Sequence, residues 1–386
     1  MVLKVSRRGQ IPPFIVMDVM RAANDRAATG ADVLHLEVGQ PSTGAPAKVI
    51  AAAQAALRRD TLGYTEALGL PALRQRIALH YRETYDLDVD PARIVLTTGS
   101  SGGFLLAFLA AFEPGDRVAL ASPSYPAYRN ILTALGLVPI ELPAGPQHRY
   151  QASVPLLERQ VSKIDGLIVA SPANPTGTML THGEIALLAG HCARSGIRLV
   201  SDEIYHGLTY GEVTATTALA VSDDAIIVNS FSKYFSMTGW RLGWMVVPSG
   251  LLRAVECLAQ NFFISPPTLS QHAALAVFDC HDELRENLAR YAENRALLLA
   301  ELPAAGFDRL APADGAFYLY ADVAALTNDS VEFCRRMLAE TGVACTPGTD
   351  FDPQRGHATL RISFAGATAT IAEAARRLKR WQGGRG

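Results

Sequence analysis

AIIVNSFSKYFSMTGWRLGWMVV, residues 225–247, sets two apolar, β-rich runs (225–229 and 242–247) around a polar loop carrying Lys233 and Arg241. Each run is almost continuously apolar instead of alternating, the pattern of a strand buried on both faces of a mostly parallel sheet. The same texture recurs upstream at 93–98, 117–121, 138–142, 167–170 and 198–201, with helix-like stretches between, such as 104–112 and 182–195. Strands alternating with helices predict an α/β fold with a large domain, its mostly parallel seven-stranded sheet sandwiched by helices.

Downstream of Ser265-Pro266-Pro267 the texture changes. Residues 269–302 read as a long helical stretch interrupted near His281, followed by strand-like runs at 317–321 and 359–364 and helices at 330–341 and 370–381. This predicts a smaller α+β domain, against which an N-terminal helix over 15–28 packs. A chain of 386 residues exceeds what one core usually organises. The expected boundaries are 41–280 for the large domain, and 1–40 with 281–386 for the small one.

With 49% hydrophobic and 19% charged residues and a net charge of −2, the chain has a globular composition and no global attraction for nucleic acid or an anionic membrane. Its five cysteines are scattered without C-x-x-C spacing, which predicts free thiols in a reducing cytoplasm and no metal site. The N-terminus lacks an apolar signal core. The most apolar run, 104–112, is about half the length a bilayer requires. These features predict a cytoplasmic protein.

Several segments bear chemistry, each with a plain structural alternative. SPANPTGT (171–178) follows a buried strand, where open α/β sheets place ligands, yet it also reads as an ordinary turn. Asp202 stands directly after the strand 198–201, placed to hold a cationic ring nitrogen or simply to cap a helix. Lys233, flanked by Ser230 and Ser232, is a candidate Schiff-base lysine, and Arg241, eight residues on, can clamp a phosphate two-pronged. TTGSSGG (97–103) leads into a helix expected near Phe104. Free amides there form an anion site, and Gly102 and Gly103 trade helix stability for close backbone approach. The loop lacks G-x-G-x-x-G spacing, which counts against a nicotinamide-dependent oxidoreductase.

In their order, these segments resemble the class I/II aminotransferases, the fold-type I pyridoxal-5′-phosphate enzymes. The match includes VGQP (38–41), GYTEALGLPALRQRIA (63–78), SPSYPAY (122–128), DGAFYLY (314–320), TPGTDF (346–351) and LRISFA (360–365) and spans nearly the whole chain. The resemblance implies pyridoxal 5′-phosphate as cofactor, amino-acid and 2-oxo-acid substrates, and a ping-pong transamination. It implies that Lys233 carries the cofactor and moves a proton, that Asp202 pairs with the ring nitrogen, and that Asn174 and Tyr205 bond its phenolic oxygen. Tyr125 corresponds to the aromatic stacked on the ring; Ser101, Gly102, Ser230 and Arg241 correspond to the phosphate holders. Tyr64 corresponds to a tyrosine reaching the neighbouring subunit's phosphate, which implies a homodimer. Arg361 corresponds to the substrate-carboxylate arginine, and Gly39 lies in a loop closing over the substrate.

Where some dicarboxylate-specific relatives supply an arginine, this chain reads NFFISPPT (261–268), and Phe14-Ile15 add apolar candidates. The expectation is therefore a neutral or hydrophobic amino acid. The same cofactor also serves β-elimination, a carbon–sulfur lyase being the nearest alternative. A non-catalytic ligand-binding regulator on this fold is a further one, although the stretch before Val38 is expected to leave no room for the DNA-binding domain such proteins typically carry.

Overall fold

The computed structural model describes residues 3–59 and 61–383. Helix α1 (Ile15–Ala28) leads, packing Ala23 and Val19 against Leu338 and Ala344. The principal sheet and its helices follow as β1 (Ile94–Thr97), α2 (Gly99–Ala111), β2 (Arg117–Ser122), α3 (Pro126–Leu135), β3 (Val138–Pro143), β4 (Gly166–Ala170), α4 (His182–Ser195), β5 (Arg198–Asp202), β6 (Ile226–Ser230) and β7 (Gly243–Val246). Strand order is β1-β7-β6-β5-β4-β2-β3. All neighbouring pairs are parallel except those made by β7. Its reversal has a local cause: no crossover helix intervenes between β6 and β7, and the loop 231–242 returns the chain antiparallel.

The expected seven-stranded sheet is present, with strand ends within a residue or so of the expected ones. Its inner strands are buried on both faces, as with Leu167, Val200, Ile227 and Val246, all at 0% exposure, whereas the edge strand β3 is partly exposed. Helix α2 starts earlier than the expected position near Phe104, at Gly99, so Gly102 and Gly103 lie inside it. A side chain at 103 would press to 3.0 Å from Val228 and 3.3 Å from Met245. The helix propensity lost at that glycine is offset by close docking of α2 on the sheet, which buries Phe104 and Phe108 almost completely. Each such side chain contributes about 1.5–3 kcal/mol. Helix α4 is opened by a capping box, Thr181 with Glu184.

A second, antiparallel sheet has the order β10-β11-β9-β8, built from β8 (Arg309–Leu310), β9 (Tyr318–Asp322), β10 (Thr346–Pro347) and β11 (Thr359–Ser363). Around it pack α5 (His281–Glu301), α6 (Ser330–Thr341) and α7 (Thr368–Gly383), with a separate core that includes Phe307, Phe317, Leu319, Ile362 and Leu378. The break in the long helical stretch falls where α5 begins, at His281. No described helix is long and apolar enough to cross a membrane.

Candidate active site

Parallel strands deliver their following loops to one edge of the sheet, and here the polar residues converge at that edge. Asp202 ends β5, Asn174 lies in the loop after β4, and Tyr125 precedes the first turn of α3. Lys233 and Arg241 come from the loop between β6 and β7, and Ser100 and Ser101 from the first turn of α2. Together with Gly39, Tyr318, Arg361 and the start of α1 they line one cleft.

The amine of Lys233 donates to the carbonyl of Gly39 at 2.6 Å. Burial, with Arg361 and Arg241 nearby, lowers its pKa from 10.5 to about 8, against the opposing pull of Asp202. Asp202 is 4% exposed. One oxygen accepts a short bond from the Tyr128 hydroxyl, and the other accepts the Ile204 amide at 3.0 Å. Burial still pushes its pKa up to about 6, because those donors and Lys233 only partly offset desolvation. A buried carboxylate so placed gains from a cationic partner.

Arg361 is 2% exposed and is held from three sides. It donates to Asn174 Oδ1 at 2.9 Å and to the carbonyl of Glu37. Its guanidinium lies 4.4 Å from the centre of the Tyr318 ring and 4.8 Å from that of Phe351. Its Nε is buried with no partner. The Tyr205 hydroxyl bonds that of Tyr318 at 2.8 Å, and Tyr125 meets Tyr128 edge-on at 5.3 Å. Burial first, then Asp202, pushes the Tyr125 phenol up to about 12.

Charge decides what this cleft accepts. Lys233, Arg241 and Arg361 line it against Asp202 alone, and none of the three cations has a carboxylate partner among the described residues. Such a cleft suits a ligand with two anionic ends and a cationic ring. Pyridoxal 5′-phosphate beside an amino acid has that distribution: a phosphate, a carboxylate and a protonated pyridine. One glycine supports the fit. Gly99 has φ +71°, and a side chain there would overlap the Arg241 guanidinium. Only glycine keeps that arginine against the N-terminus of α2, where amides and dipole favour an anion.

Ten of the expected residues line or abut the cleft differently from one another. Lys233, Asp202, Tyr205, Ser101, Tyr125, Asn174, Arg241, Gly39 and Arg361 face it, whereas Ser230 sits behind and donates to Ser232 Oγ at 2.8 Å. Gly102 is buried within α2, with the space of a side chain already taken by Thr98. Tyr64 stands apart at 81% exposure. Among the apolar candidates, Phe14 lines the cleft, but Val16 and Met17 do so in place of Ile15. Sequence reasoning assigned no role to Tyr128 or Tyr318, although both lie in segments that carried the resemblance. The three-residue spacing from Tyr125, at the cap of α3, to Tyr128 in its first turn was the available signal for the first. For Tyr318, strand alternation along β9 offered one.

Comparison with known proteins bears on the same chemistry. Residues 31–378 match the family model for aminotransferase class I and II. The chain is 54% identical over 381 residues to a valine–pyruvate aminotransferase of Mycobacterium tuberculosis, covering 98% of each chain. It is 33% identical over 372 residues to a (5-formylfuran-3-yl)methyl phosphate transaminase of Methanocaldococcus jannaschii, covering 95% of this chain and 96% of that one. A crystal structure of an aminotransferase from Mycobacterium tuberculosis superposes with a TM-score of 0.98 at 53% identity, over 99% of this chain and 100% of the other. The chain belongs to the class I and II aminotransferases: it is a fold-type I, pyridoxal-phosphate-dependent enzyme that transfers amino groups between amino acids and 2-oxo acids.

Proposed function

We propose that the amino donor is a neutral aliphatic amino acid of the valine class and the acceptor a small 2-oxo acid of the pyruvate class. The observation that carries this is the apolar stretch of lining, Phe14, Val16, Met17 and Val38, in the same cleft as Arg361. All three cations of the cleft are spoken for by cofactor and α-carboxylate, so a side-chain carboxylate meets only hydrocarbon there, an unfavourable exchange for its hydration. The activity of the Mycobacterium tuberculosis relative is of this class.

In this reading Arg361 holds the substrate carboxylate, its bonds to Asn174 and Glu37 and the stacked Tyr318 and Phe351 rings keeping the guanidinium plane fixed. Lys233 would anchor the cofactor and, once the substrate's amine had displaced it, would be the free amine that takes the proton from the substrate Cα. Its lowered pKa suits an amine that alternates between base and acid near neutrality. Asp202, kept anionic by Tyr128 and Ile204, balances positive charge on the ring nitrogen. Asn174 and the Tyr205–Tyr318 pair orient the ring, Tyr125 covers its face, and Arg241 with Ser100 and Ser101 holds the phosphate. When bound, pyridoxal 5′-phosphate supplies the electron sink that accepts the pair left by the broken Cα–H bond.

The molecule divides, on this reading, into a large domain of residues 41–280 and a small domain of 1–40 and 281–386, with the cleft between them. A homodimer follows from Tyr64, whose exposure together with that of Phe262 (55%) and Ile264 (50%) suits a surface covered by a second copy. Unpaired cysteines suit the cytoplasm.

The test uses holoenzyme and single amino acids with no acceptor. Valine is expected to yield one equivalent of 2-oxo acid per site and then stop, restarting when pyruvate is added. Repeated turnover without an acceptor indicates elimination, and a preference for aspartate over valine overturns the proposed donor class.

A further inference from the structure

The first turn of α1 supplies most of the apolar wall, yet its sequence does not support it. The residue at the cap position is Phe14, which offers no side-chain acceptor, so the amides of Ile15 and Val16 lack a local partner. The missing acceptor comes from far along the chain. Asp350, 2% exposed in the turn Gly348–Asp350, accepts Ile15 N–H on one oxygen at 3.0 Å and Val16 N–H on the other at 3.1 Å. A carboxylate across a helix N-terminus also gains from the helix dipole.

Asp350 is itself fixed from other directions. Its carbonyl accepts from Arg129 of α3 at 3.1 Å, and Arg129 pairs with Glu141 of β3 at 3.0 Å. The next residue, Phe351, lies under the Arg361 guanidinium, and its carbonyl accepts the Ser124 amide at 3.1 Å. Two consecutive residues thus touch both ends of the substrate site: Phe351 backs the arginine for the carboxylate, and Asp350 holds the wall for the side chain. Phe14 closes the arrangement with an edge-on contact to Tyr125 at 5.6 Å.

We propose that Asp350 is a positioning residue for donor specificity, its carboxylate clamping the start of α1 so that Val16 and Met17 stand at a set distance from Arg361. This rests on the proposed apolar donor class and adds the residue that sets its side-chain limit. Asp350 touches no substrate atom. Its effect grows with how far the donor's side chain reaches toward the wall.

The experiment compares wild type with Asp350→Ala and Asp350→Asn as holoenzymes. It uses alanine, valine and isoleucine as donors, with hydrogen exchange of the peptide covering residues 14–18. Asp350→Ala is expected to lower kcat/KM for valine and isoleucine about tenfold, mainly through KM, the scale of a lost charged helix cap. Alanine, too short to reach the wall, is expected to lose less than about threefold. Exchange at residues 15 and 16 is expected to rise in Asp350→Ala and to stand between wild type and that variant in Asp350→Asn, which retains one acceptor and carries the test if Asp350→Ala does not fold. An equal loss for all three donors, or unchanged exchange at residues 15 and 16, overturns the proposal. If wild type prefers aspartate, the donor class fails on its own, and the exchange result still decides the clamp.

Discussion

The two sides of the cleft are built in opposite ways. On the assignment proposed above, the cofactor side comes from consecutive strand ends: Asn174 after β4, Asp202 ending β5, Lys233 and Arg241 between β6 and β7. The substrate side is assembled from pieces remote in sequence: Phe14 to Met17, Gly39, Tyr318 and Arg361. The first inherits its geometry from sheet register, since neighbouring parallel strands end together. The second depends on a few bonds between segments, chiefly Arg361 to Asn174 and to Glu37, and Lys233 to Gly39. The cofactor side should therefore tolerate change in the fold around it but not in its chemical groups. The substrate side should shift in affinity and selectivity when a single inter-segment contact is lost.

Lys233→Ala offers the sharpest test. Removing the base and anchor is expected to lower kcat about 10⁴-fold or more, with the fold retained. Turnover within tenfold of wild type would break the assignment of the cofactor side. On the substrate side, Arg361→Lys keeps the charge but loses the two-pronged contact. KM for the donor is expected to rise roughly 30-fold, with a smaller change in kcat. A fall confined to kcat would place Arg361 with the chemistry instead.

Tyr128→Phe is subtler. It removes a charge-assisted bond to Asp202, worth about 1.5–3 kcal/mol, and the carboxyl pKa moves above its value of about 6. The expected result is a loss of about tenfold in kcat/KM that is largest at the acid end of the pH profile, where Asp202 protonates first. An unchanged profile would show that Tyr128 only packs. The smallest effect concerns pH in the cofactor-free chain. An amine attacks only when neutral, and Lys233 has its pKa lowered from 10.5 to about 8. The rate of cofactor capture is expected to climb as pH rises through about 8 and to level off above it. A rise that continues toward 10.5 would mean that burial and the two arginines do not tune this lysine.

The seven strands and the residues at their ends were legible because period and strand-end placement are short-range properties of the chain. The start of α2 was misread since Gly102 and Gly103 suggest a loop by propensity. Contact with Val228 and Met245, which reward small residues, lies outside any local window. Phe14 at the head of α1 has no local cap, so nothing nearby in sequence signals that Asp350 supplies one.

By itself the sequence determined the α/β alternation, the order of the motifs and the identity of the lysine, aspartate and arginines that meet in the cleft. Those depend on apolar period and on which loops follow parallel strands. Tertiary structure alone decided that Tyr128 steadies Asp202, that Tyr318 pairs with Tyr205, and that Val16 and Met17 form the wall in place of Ile15. Each of those outcomes turns on which face of an element a neighbour covers and on a few tenths of an ångström in packing, quantities that exist only once the distant segments are side by side.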